Sequence, residues 1–167
     1  MPRPFAYPVA VTRDRGDFIA EFPDVPEAHT QAASHLEALA ESVDALIAAL
    51  GGYIEARRDL PRPSPARGRA TVALPPLPAA KLALYQAMRD AGATNVALAK
   101  RLGVAENAVR RLLDLDHRSH IGQVAEALAL FDKRLTVIVD DVEAATKRER
   151  IVVPRRRAAQ GTRRAAG

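Results

Sequence analysis

Residues 95–114 carry the side chains best suited to contact a nucleic acid: Asn-Val-Ala-Leu-Ala-Lys-Arg-Leu-Gly-Val-Ala-Glu-Asn-Ala-Val-Arg-Arg-Leu-Leu-Asp. Arg can bind guanine O6 and N7 with two bonds, and Asn can do the same with adenine N6 and N7. The apolar spacing is that of a helix-turn-helix. Leu98 and Leu102 face inward from a first helix, small Ala99 permits close approach, and Val109 and Leu112 face inward from a second. Gly103 can take the positive φ of the turn, and Val104 is expected to plug it. Ala105, Glu106, Asn107, Arg110 and Arg111 then point outward on the edge that enters the major groove in such proteins. Lys100, Arg101 and the downstream Arg118 complete the expected DNA-binding set. Ala105 lacks the side-chain oxygen that Ser or Thr would offer as a helix cap. A helical hairpin with a merely charged face is the plainer reading, but six agreeing positions and an outward Glu, Asn, Arg and Arg favour DNA.

Catalytic chemistry finds no comparable support. The chain has no Cys, which removes disulfides, thiolate metal sites and a Cys nucleophile. No His-Glu-x-x-His, phosphate-binding Gly-rich loop or Gly-x-Ser-x-Gly elbow occurs. His117 and His120 stand three apart without a third ligand, the pattern of an exposed loop. No enzyme activity, metal or cofactor is expected.

The elements that position these residues fall on either side of a proline cluster. Six of the twelve prolines lie between Pro61 and Pro78, where a fixed φ and a missing donor preclude helix interior. Two modules are expected, 1–75 and 76–140, followed by a basic, disordered tail, 141–167. In the first, Phe5–Val11 and Phe18–Phe22 flank an Asp14-Arg15-Gly16-Asp17 turn and predict a β-hairpin. Pro23-Asp24-Val25-Pro26 should break the chain before a third strand over His29–Ala33, and Thr71–Leu74 is a possible fourth. Ser34 and Glu37 form a capping box ahead of Leu36, Leu39, Ala40, Val43, Leu46, Ile47 and Leu50, one helical stripe that Gly51-Gly52 weakens. The second module predicts helices over Leu77–Ala91, across the helix-turn-helix, and around Val124, Leu128 and Phe131. Lys133–Val139 alternates like a strand, and its Leu135–Val139 part is a candidate dimer seam. The class is α+β: a small sheet plus helix, then an all-α domain ending in a short strand.

Charge is distributed unevenly along the 167 residues. Segment 1–56 carries 3 basic and 9 acidic side chains, 57–69 carries 5 and 1, 70–146 carries 9 of each, and 147–167 carries 8 and 1. The net +5 thus comes from a linker and a tail, while the first module is acidic. An acidic module suits a basic partner and a basic tail suits a polyanion. No apolar run approaches the ~20 residues of a membrane span, and Met1–Pro8 does not look like a signal peptide. A cytoplasmic protein is expected.

The order of these features resembles the HicB antitoxins of bacterial HicAB toxin–antitoxin pairs, in the branch with a C-terminal helix-turn-helix. The resemblance rests on Tyr7-Pro8-Val9, Phe18–Phe22, Pro23-Asp24-Val25-Pro26, the capped helix, the proline-rich link and the helix-turn-helix, and it covers residues 5–139. It implies a partial RNase H-like first domain without the nuclease's catalytic carboxylates. It also implies a basic partner, the mRNA-cleaving HicA toxin, contacted around Phe18, Phe22, Asp24 and Glu27. Operator DNA is the implied second partner, bound by at least a dimer, because helix-turn-helix proteins usually read two half-sites. Two other functions fit the residues: a ligand-sensing helix-turn-helix regulator with no toxin, and a degenerate RNase H-like enzyme.

Overall fold

A computed structural model describes residues 5–139; the tail, 141–167, lies outside them. Three strands, β1 (Ala6–Asp14), β2 (Asp17–Phe22) and β3 (Val25–Ala32), precede helix α1 (His35–Glu55) and strand β4 (Ala70–Ala73). Helices α2 (Pro76–Asp90), α3 (Asn95–Leu102), α4 (Glu106–Leu113) and α5 (Ile121–Ala129) follow. The α+β class is as the sequence predicts.

The strands form one antiparallel sheet in the order β3-β2-β1-β4. Arg15 and Gly16, at φ 47° and 106°, make the two-residue turn between β1 and β2. Two consecutive positive φ angles match the right-handed strand twist, which is why such hairpins favour Gly. The Pro23–Pro26 segment is shorter as a break than expected, because β3 already begins at Val25. Pro26 is tolerated there because β3 is an edge strand. Pro8 lies where β1 is paired with β4 alone, opposite Thr71, so its missing N–H costs no ladder bond on the other side.

Helix α1 starts where Ser34 Oγ accepts the Glu37 N–H at 3.2 Å, and it runs on through Gly51-Gly52. Leu39, Val43, Leu46 and Leu50 are buried against Tyr7, Val9, Phe22, Val25 and Val72 of the sheet. Truncating one such leucine to Ala would cost about 2–5 kcal/mol. Leu36 departs from the expected stripe and is 75% exposed. It stands in the first turn and about 80° round from the stripe's centre, whereas Ala38 and Ser42 lie within the buried face. Ser42 satisfies its hydroxyl on the Leu39 carbonyl at 2.7 Å.

The proline-rich link is tied down at several points. Tyr7 Oη donates to the Pro61 carbonyl at 2.9 Å, and Asp24 accepts the Ser64 N–H at 2.8 Å. From the far side, Tyr85 Oη of α2 donates to the Arg58 carbonyl at 2.8 Å, and Arg89 bonds Asp59 and the Arg57 carbonyl. Pro76 stands in the first turn of α2, where its missing N–H would be unpaired in any case. Helix α2 packs on α5 and α4, and α3 packs on α4.

The strand expected at Leu135–Val139 does not form among the described residues. Residues 133–139 have no ladder partner, and Val137, Ile138 and Val139 are exposed. The sheet's two edges, β3 and β4, make no ladder bond to this segment, so its alternation finds no partner strand. Leu135 is half-buried beside α2 and α5. No helix among the described residues is long and apolar enough to cross a membrane.

Candidate functional site

The helix-turn-helix is assembled as its spacing requires. Thr94 Oγ1 accepts the Ala97 N–H at 3.1 Å and starts α3. Gly103 ends it at φ 68°, and the Val104 N–H closes back on the Ala99 carbonyl at 3.0 Å. A left-handed residue followed by this bond is the Schellman pattern, which satisfies carbonyls the helix end would leave free. Leu98, Ala99, Val109 and Leu112 are buried and Leu102 is half-buried. Val104 was expected to plug the turn, but its side chain is 44% exposed. It serves the turn through its backbone, while Leu98 and Val109 fill the interior.

The expected DNA-binding residues fall into four groups. Lys100, Asn107, Arg111 and Arg118 are exposed. Arg110 is exposed too, but its Nε and Nη2 donate to Glu106 Oε1 at 3.1 and 2.8 Å, one turn earlier. Arg101 is drawn away from α4: its Nη2 donates to the Leu130 carbonyl at 2.6 Å and its guanidinium lies 5.5 Å from the Phe131 ring centroid. That contact ties the end of α3 to the end of α5. Ala105 caps α4 without a side-chain bond, leaving N–H groups at the helix start open to an anion.

The residues expected to meet a protein partner do not form one patch. Phe22 is a core residue at 1% exposure. Asp24 is half-buried and holds the Ser64 N–H. Phe18 is half-buried, with the His35 ring edge-on to it at 6.0 Å. Glu27 alone of the four is openly exposed. It accepts Tyr53 Oη at 2.9 Å and Arg58 Nη1 at 3.1 Å, and the Arg58 guanidinium stacks 4.0 Å from the Tyr53 ring centroid. Its own backbone N–H, then Tyr53 and Arg58, hold the Glu27 carboxyl below the ordinary carboxylate range.

A second acidic feature was missed in the sequence. Glu37, Glu41, Asp44 and Glu55 are all exposed along one side of α1, opposite the buried leucines, with small Ala48 and Gly52 between them. Their steps of three, four and eleven residues carried that signal, because they repeat the helical period on the polar face. Lys81 was missed as well. It stands four residues from both Leu77 and Tyr85, inside the apolar stripe of α2, and is wholly buried. Among the described residues no three His, Asp or Glu side chains converge where a metal ion could sit.

Residues 6–83 match a family model described as the HicB-like antitoxin of bacterial toxin–antitoxin systems. Antitoxin HicB 2 of Photorhabdus laumondii is 36% identical over 138 residues, covering 83% of this chain and 99% of the relative. Antitoxin HicB of Pseudomonas fluorescens is 33% identical, covering 81% of this chain and 94% of the relative. Antitoxin HicB of Escherichia coli strain K12 is 33% identical, covering 80% and 98%. Family model and relatives together span the acidic sheet domain and the helix-turn-helix, and the chain therefore belongs to the HicB antitoxin family.

Proposed function

We propose that this antitoxin neutralises a basic, RNA-cleaving toxin of the HicA kind through residues 1–75 and represses its own operon through residues 76–140. The observation that carries the DNA half is α4: an eight-residue helix on a left-handed glycine turn, presenting exposed Asn107, Arg110 and Arg111. The toxin half rests on family membership and on the acidic side of α1, with Glu27 as a further contact. A negative surface steers a positive partner and suppresses like-charged competitors. A partial RNase H-like ancestry suits the sheet and helix, with no catalytic role left to it. Two copies would bind two operator half-sites, pairing their 133–139 segments to cover Val137 and Ile138.

The test uses the full chain. Asn107→Ala and Arg110→Ala should each weaken binding to DNA from upstream of its own gene by about 1–3 kcal/mol and relax specificity locally. Arg111→Ala should weaken operator and random DNA alike. None should alter protection of RNA from the product of the neighbouring gene. Wild-type operator affinity in both Asn107→Ala and Arg110→Ala would remove α4 as the reader. Failure to capture or silence that gene product would remove the toxin half.

A further inference from the structure

Lys81 is the one fully buried cation among the described residues. Its Nζ donates three hydrogen bonds, all to backbone carbonyls: Arg111 at 3.1 Å, Asp114, and His117 at 2.7 Å. Three donated bonds require the ammonium form. Burying that charge costs several kcal/mol unless every donor is met, and here each one is. The acceptors are what make the contact informative. Arg111 belongs to the last turn of α4, Asp114 is its C-cap, and His117 lies in the loop leading to α5. A helix end exposes unpaired carbonyls with partial negative charge, where a cation is most favourable.

Helix α4 needs such a hold. Eight residues are too few to be stable alone, and Ala105 gives its start no side-chain cap. The following loop is folded on itself, with the Asp116 N–H on Asp114 Oδ1 at 3.0 Å and the Ser119 N–H on the His117 carbonyl at 2.9 Å. Ser119 Oγ adds a second donor to the Arg111 carbonyl at 3.0 Å. Arg118 projects from the middle of this loop.

Resting on the DNA reading of α4, we infer that Lys81 is a positioning residue for operator recognition. It locks the end of the reading helix and the Arg118 loop to α2, so that base-facing and phosphate-facing side chains sit in one frame. A reading helix held loosely still meets phosphates but loses alignment with base edges, so specificity falls before affinity does.

The experiment compares wild type and Lys81→Met, which keeps an unbranched apolar stem and removes the ammonium, on a duplex from upstream of the gene and on a scrambled duplex of equal length. Measurements at matched salt, well below the melting temperature, should show the operator-to-scrambled affinity ratio falling about tenfold. Scrambled-DNA binding and toxin neutralisation should be unchanged. A purely stabilising lysine would lower the melting temperature and leave that ratio intact, which would overturn the inference. If Lys81→Met shows no cooperative melt, Lys81→Gln takes its place, because its amide keeps at most two of the three donors and is shorter than the lysine. An unchanged ratio there overturns the inference too. A wild-type chain that does not prefer the operator overturns the DNA reading, and the role of Lys81 with it.

Discussion

Arg110 and Glu106 are locked together on the outer face of α4, with two guanidinium nitrogens on one carboxylate oxygen at 3.1 and 2.8 Å. An arginine so engaged must exchange this partner for a phosphate or a guanine to bind DNA. The exposed pair, one turn apart, is worth only about 0.3–0.5 kcal/mol, so the exchange is easy. On the DNA reading proposed for α4, Glu106 would hold back binding to any passing DNA while leaving a good site able to compete.

Glu106→Gln should therefore raise affinity for random DNA by about twofold and steepen the salt dependence by about one unit of log–log slope, the amount for one added phosphate contact. The melting temperature should barely move. Filter binding across a salt series reads both quantities, and an unchanged slope would mean that Arg110 does not reach DNA.

Burial pushes the Tyr7 phenol up to about 12, with the charge of Asp24 and then Tyr53 adding to the effect. A raised pKa means that the folded state favours the protonated phenol. The stabilisation is complete below pH ~10, where an unfolded tyrosine begins to ionise, and is lost as pH rises through the folded value. Tyr7→Phe should cost about 1 kcal/mol at neutral pH, because the Pro61 carbonyl loses its donor. It should also flatten the fall in stability above pH ~10. Denaturant titrations at neutral and alkaline pH measure both. A decline as steep as wild type would show that Tyr7 does not govern the alkaline limb.

A Cβ on Gly103 would meet nothing within 4 Å, so the constraint there is the backbone angle and not space. Gly103→Ala should destabilise by about 1 kcal/mol through the cost of the left-handed conformation, and Gly103→Asn by less. Thermal melts of the two variants rank them. Equal losses would point to a steric cause instead.

Deleting residues 147–167 removes 8 basic side chains and 1 acidic. Affinity for operator and random DNA should fall together and the salt slope should flatten, because phosphate contacts release counterions without reading sequence. A slope equal to that of the full chain would mean that the tail does not touch DNA.

Much of the site was legible without coordinates because its causes are local. Gly103 turns the chain, Leu98 and Leu102 repeat at the helical step, and Ser34 caps α1 three residues ahead of the N–H it accepts. Each acts within a few residues, where spacing alone specifies geometry. Tertiary structure decided what reaches across the chain. Phe22 became core and Glu27 surface within one short segment, because the β2–β3 register jumps from Phe22 opposite Val25 to Glu21 opposite His29, leaving Pro26 and Glu27 exposed in the bulge between. Arg101, which local pattern places with the DNA-binding residues, turned to Leu130, 29 residues on. Lys81 found its carbonyls 30 to 36 residues away. No periodicity encodes such pairs, because they exist only once α2, α4 and α5 have packed and desolvated the groups between them.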